Sequence, residues 1–138
     1  MPQTEHEDRP AEHQHGRGEI GAQISTGAVQ LLSEYTGRGP TKAHTIVNRD
    51  SVTIVLQDTL TKGERSLVAA GKQDEVHRSR HAYQQVMGDE LTALVEKAVE
   101  RKVIAFLSAN HLDPDVAVEF FLLQPDPTAE QNGNAPSA

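Results

Sequence analysis

The stretch "AHTIVNRDSVTIVLQ", residues 43–57, decides the fold. Val, Ile and Thr dominate both of its halves, and β-branched side chains suit a pleated, half-buried strand better than a helix. With Arg49-Asp50 at the tip of a tight turn, Val47 faces Val52, Thr45 faces Ile54 and Ala43 faces Leu56. That register gathers Val47, Val52, Ile54 and Leu56 on one face, as an antiparallel pair with one buried side requires. The spacing therefore predicts a hairpin of 43–48 with 51–57. The turn has no glycine, which leaves a longer loop open.

Outward from this hairpin the period changes. Before it, Ile20, Ile24, Ala28, Leu31 and Tyr35 recur on one helical stripe, predicting a helix from about Glu19 to Thr36. Val29 and Leu32 form a second, weaker strip beside it. After the hairpin, Thr61 followed by Glu64 has the spacing of a capping box, which opens a short helix that Gly71 interrupts. A long helix follows from about Gln73 to Arg101, with Val76, Tyr83, Val86 or Met87, Leu91, Leu94 and Ala98 as its apolar stripe. A second hairpin pairs 102–109 with 117–123 around "NHLDPD", where Asp113-Pro114-Asp115 is turn chemistry. Every Phe of the chain (Phe106, Phe120, Phe121) lies in that hairpin, and "FFLL" is apolar at successive positions, so both faces of its strand are expected to be covered. The order α-β-β-α-β-β implies an α+β, two-layer domain: a four-stranded antiparallel sheet with helices packed on a face.

The bulk properties bound the function. At 138 residues and 4% aromatics the chain builds one modest core. It has no cysteine, which removes disulfides, thiol nucleophiles and Cys-ligated metals. Residues 1–17 lack large apolar residues after Met1, and 125–138 carry three prolines. Both read as disordered tails around a domain at 18–124. The net charge is −7, and residues 18–124 hold 11 Lys and Arg against 14 Asp and Glu, so the basic footprint of a nucleic-acid binder is missing. No apolar run approaches a membrane span, and no secretory h-region opens the chain. A cytoplasmic protein is expected, without direct membrane insertion.

"GRGP", residues 37–40, invites a phosphate-cradle reading. A cradle needs backbone N–H groups converging at the start of a helix. Here the glycines follow a helix and precede a strand, and Pro40 supplies no N–H. Gly37 and Gly39 with Pro40 are therefore a helix stop, with Gly37 as the left-handed C-terminal cap. Arg38 sits favourably at the negative end of the helix dipole, and it could also grip an anion or a partner carboxylate.

The leading helix, then "EYTGRGPTKAHTIVNRDSVTIVLQDTLTKGERSL", then "HRSRHAYQQVMGDELTALVEKAVERKVIAFLSANHLDPDVAVEFFLL" resemble a bacterial family, the MpsC-like family. It is named after the C component of a Na+-translocating, membrane-potential-generating system. The similarity covers about residues 18–124 and rests most on "GRGP", on "LTKGE" at 60–64, and on the closing hairpin. Family members tend to have proline where this chain has Lys62, which should weaken the helix start without abolishing it. The resemblance implies a small accessory or regulatory module linked to cation or bicarbonate transport. It carries over no catalytic residues.

The remaining candidates have bland alternatives. His77 and His81 share a face of the long helix with Arg78 and Arg80 beside them. No Glu completes an HExxH motif and the arginines repel a cation, so a solvated basic face is expected and no metal site. That face could take an anion or an acidic partner. His6, His13 and His15 lie among tail carboxylates and read as solubilising. Asp58 and Glu64 flank a helix start, where carboxylates favour the dipole. No GxSxG elbow supports nucleophilic catalysis. The expected function is a non-catalytic protein-interaction module without cofactors. It is expected to be homodimeric, with a membrane-transport protein as a possible partner that would hold it peripherally at the membrane. The alternative is an anion-binding regulator in which Arg38, Lys42, Arg78, Arg80 and His81 line one pocket together.

Overall fold

The computed structural model of the chain describes residues 5–38 and 42–126, and side chains among them from residue 16 onward. Gly39, Pro40 and the tail at 127–138 lie outside the described residues. The elements are α1 (Glu5–Thr36), β1 (Lys42–Val47), β2 (Ser51–Gln57), α2 (Lys62–Ala69), α3 (Gln73–Val99), β3 (Val103–His111) and β4 (Val116–Leu123). The strands form one antiparallel sheet in the order β1-β2-β4-β3.

The first hairpin has the register its β-branched pattern dictates: Val47 opposite Val52, Thr45 opposite Ile54, Ala43 opposite Leu56. Asn48 N–H donates to Ser51 C=O at 2.8 Å, closing the turn over Arg49 and Asp50. Arg101 pins that tip from the far end of α3, donating to the Arg49 and Gln124 carbonyls and to the Asp50 carboxylate.

Both long helices pack on the same face of the sheet. Ile24 and Ala28 of α1, Met87, Leu91 and Val95 of α3, and Val52, Ile54, Leu56, Phe121 and Leu123 of the strands form one buried core. Phe106 stacks on Phe121 with ring centroids 5.1 Å apart. The helices approach closely at Gly27, where an added Cβ would stand 2.6 Å from the Leu94 Cδ1. Gly27→Val is therefore expected to push α1 off α3, at a cost of about 2 kcal/mol visible as a lower melting temperature.

Two helix expectations change. α1 begins at Glu5, ahead of the start near Glu19 that apolar periodicity marks and inside the segment expected to be a tail. The Glu, Gln, Ala and Arg ahead of Ile20 are good helix formers with nothing apolar to mark them. On α3 the inward stripe is Val76, Gln84, Met87, Gly88, Leu91 and Val95. Tyr83 and Val86 face solvent at 45% and 62% exposure. A polar residue, Gln84, occupies the inward position that hydrophobicity assigned to Tyr83.

Candidate functional site

The site is built around a four-residue linker. Between β2 and α2, residues 58–61 run non-helically, with Asp58 at φ 58°. Asp115, the last residue of the turn between β3 and β4, accepts from the Thr59 hydroxyl at 2.9 Å and from the Leu60 N–H at 2.8 Å. The Asp-Pro-Asp motif thus carries a tertiary contact as well as a turn.

Arg38 secures the linker from the end of α1. Gly37 adopts φ 73° and donates to the Ser33 carbonyl at 2.9 Å, ending the helix as a left-handed cap. This exit delivers Arg38 to the linker, where Nη1 donates to the Leu60 carbonyl at 2.8 Å and the Asp58 carbonyl at 3.1 Å. Nη2 lies 3.2 Å from the Asp58 carboxylate.

Arg80 secures it from α3. Nε and Nη2 hold both oxygens of Glu64, at 2.9 and 3.0 Å, and Nη1 donates to Thr59 at 2.8 Å and Asn110 at 3.4 Å. Glu64 in turn accepts the Thr61 N–H while the Thr61 hydroxyl accepts the Glu64 N–H, so the capping box forms with Lys62 in the first turn. Burial pushes the Glu64 carboxyl up, but the hydrogen bonds from Arg80 and Thr61 outweigh it and leave the group below its ordinary value.

A cleft of about 230 Å³ opens between α1, α3 and the sheet. Tyr35, Arg38, Arg80, Tyr83, Gln84 and Glu119 are among its lining residues. Glu119 is the unusual one. It sits on β4 in the same alternation as Ala117, Phe121 and Leu123, which turns it inward, and it is 2% exposed. Its Oε1 accepts a long hydrogen bond, 3.4 Å, from the Gln84 amide, while Oε2 has no hydrogen-bond partner. Burial pushes the Glu119 carboxyl up to about 7, and Ser108 across the strand pair, Gln84 and Arg80 only partly oppose it.

Of the residues expected to share one pocket, Arg38 and Arg80 line this cleft; Lys42, Arg78 and His81 are exposed and outside its lining. The expected basic face divides for a geometric reason. Arg80 lies one helical turn from both Val76 and Gln84, so it points inward with the buried stripe, whereas His77, Arg78 and His81 face solvent. His81 is within 3.2 Å of the Gln85 amide. No group of three His, Asp or Glu side chains among the described residues is placed to hold a metal ion. Glu119 and Gln84 escape a motif search because neither belongs to one. Strand parity with Phe121 is the signal that points to Glu119.

The sheet carries a second feature. Its outer face, away from α1 and α3, has rows that run Ile46-Thr53-Phe120-Leu107 and His44-Val55-Val118-Ala109 across the strands. No helix among the described residues covers it.

Against this architecture, the family model described as Na+-translocating membrane potential-generating system (MpsC) matches residues 16–125. The chain belongs to the MpsC family. The match runs from α1 through the end of β4 and so takes in the linker, the cleft and the whole sheet. Comparison with curated proteins and with solved structures gives no match. The MpsC description concerns a membrane system, and no helix among this chain's described residues is long and apolar enough to cross a membrane.

Proposed function

We propose that the chain is a non-catalytic accessory module of a Na+-translocating, membrane-potential-generating system, and that it works through protein contact by pairing its outer sheet face with that of a second copy. The observation that carries this reading is the bare face itself. Leu107 is 63% exposed and Ile46 is 41% exposed, and the two rows named above contain no Asp, Glu, Lys or Arg. Exposed apolar surface on an uncovered sheet marks an interaction site. Two central rows free of carboxylates and of Lys or Arg are also compatible with themselves, since a two-fold contact sets each patch against its own kind; Lys42 lies on the same face in the row beside them.

Scale favours a reversible dimer. Four strands about 4.8 Å apart and about seven residues long present roughly 450 Å² in projection. This is below the ~800 Å² per partner of a standard interface, so dissociation in the micromolar range is expected. Sedimentation velocity should show dimer at tens of micromolar, and Leu107→Glu, which alters only an exposed side chain, should shift the chain to monomer. A wild-type monomer at those concentrations overturns the pairing.

The accessory role has its own test. In cells lacking the chain, Na+-dependent membrane potential read with a potential-sensitive dye is expected to fall and to be restored by the wild type but not by Leu107→Glu. Full potential without the chain overturns the accessory reading. Rescue by the monomeric variant overturns the role of the face.

A further inference from the structure

We propose that the cleft between α1, α3 and the sheet is a binding site for a small organic cation, an amine carried on a single ring or a short apolar chain, with the Glu119 carboxylate as its counter-charge. The linker latch and the dimer face do not explain this carboxylate. It is buried, it lines the cleft, its hydrogen bond from Gln84 is long, and neither Oε2 nor the hydroxyl of the cross-strand Ser108 is within hydrogen-bonding geometry of a partner. An unsatisfied buried acceptor costs free energy that a donor from a ligand would recover.

The charge balance selects the class of ligand. The cleft's two arginines already have carboxylate partners: Arg80 holds Glu64, and Arg38 shares Asp58 with Arg65. Of the two carboxylates lining the cleft, Glu64 is paired in this way and Glu119 is in none of these ion pairs. An anion entering the cleft meets guanidinium groups whose donors are largely spent on Glu64, Thr59, Asn110, Asp58 and Leu60. An ammonium group meets an unused carboxylate oxygen, with Tyr35 and Tyr83 among the lining residues to offer aromatic faces.

Size narrows it further. A cavity of about 150 Å³ holds benzene, so about 230 Å³ holds one ring and a short polar arm. Leu32, Leu56, Met87 and Ala117 supply the apolar lining for the ring.

Binding of such a cation should follow the ionisation of Glu119. The groups around it are Arg80 and Gln84 from α3, Ser108 and Asn110 from β3, Glu64 from α2, and Tyr35 and Arg38 from the end of α1. Burial dominates these and leaves the carboxyl half-ionised at about pH 7. A cation selects the ionised form, so its affinity rises with pH through that region and levels off above it.

Benzylamine is the probe, with benzyl alcohol and benzoate as neutral and anionic counterparts, followed by NMR of the wild-type protein. Benzylamine is expected to bind at least tenfold more tightly than either counterpart at pH 8. Its affinity should weaken by about 30-fold at pH 5.5, where about 3% of a group with a midpoint near 7 is ionised. The Glu119 carboxyl midpoint, followed by its own carbon resonance, should move down as benzylamine saturates the site. Glu119→Gln should lose at least tenfold in benzylamine affinity and its pH dependence, while melting at or above the wild type. Equal binding of benzoate or benzyl alcohol, an unmoved Glu119 midpoint, or undiminished binding to Glu119→Gln each overturns the proposal. The carboxyl titration needs no variant, so it stands even if the substitution disturbs folding.

Discussion

Glu119→Gln is expected to raise the melting temperature by roughly 10 °C at pH 8 and to leave it unchanged near pH 4. Moving a carboxyl midpoint from 4.5 to about 7 means that the folded state disfavours ionisation by about 3 kcal/mol. The sign follows from proton linkage. Below 4.5 the acid is protonated in folded and unfolded chains alike, and its shift costs nothing. As pH rises from 4.5 to 7 the unfolded chain ionises while the folded chain keeps its proton, so the wild type loses stability. Above 7 the full cost stands. Glutamine has the shape of the neutral acid and never ionises, so it escapes this loss. For a domain of this size about 3 kcal/mol corresponds to roughly 10 °C. Thermal melts of both proteins across pH 4 to 8 should superpose at the acid end and diverge progressively above pH 5. Parallel curves across the range would mean that Glu119 is ionised in the folded state at ordinary pH, with Arg80 as its effective partner.

The first hairpin was legible because two independent constraints agree there. β-branched residues fill both strands, Val52, Ile54 and Leu56 share a face by strand alternation, and the tight turn at Arg49-Asp50 sets the register that adds Val47 to that face, so the pairing follows residue by residue. The cap at Thr61 was legible because its two hydrogen bonds close between residues three apart and need nothing distant. The two-layer arrangement followed from the order of the elements.

The site was legible only in pieces. Arg38 and Arg80 are separated by 42 positions and meet at one linker only through the fold. Local sequence shows each as a cation on a helix or at its end. Their partners, the Leu60 carbonyl and the Thr59 hydroxyl, carry no charge that would advertise the contact. Tyr83 and Gln84 exchange roles for a related reason. A hydrophobic stripe is drawn from what residues prefer on average, and tertiary context overrides it when a buried polar partner such as Glu119 is available. Asp115 reads as turn chemistry because it is that, and its grip on Thr59 and Leu60 adds a role that no local spacing encodes.

Arg80→Met should then be the most damaging single change at the latch, with about 3 kcal/mol of stability lost at pH 7. The Arg80 and Glu64 side chains are 13% and 19% exposed, so removing one leaves the other largely buried with its charge uncompensated. Thr59 and Asn110 lose a donor in the same step. If the orphaned carboxylate is the main cost, then neutralising it should restore most of the loss. The double variant Arg80→Met/Glu64→Gln keeps a side-chain acceptor for the Thr61 N–H and should lie within about 1 kcal/mol of the wild type. The pH dependence separates this cause from lost packing. In the wild type the Glu64 carboxyl lies below 4.5, so its pairing stabilises the fold above 4.5 and fades as pH falls through the lower folded value. Without Arg80, burial remains and the principal opposing partner is gone, so the group should move above 4.5. The single variant then gains stability on acidification, and its deficit against the wild type should narrow steadily below pH 5. Denaturant titrations at pH 7 and pH 4 measure both values. A deficit of constant size at the two pH values, or a double variant as unstable as the single one, would assign the loss to the Thr59 and Asn110 contacts and to the packing of the arginine stem, with the buried charge contributing little.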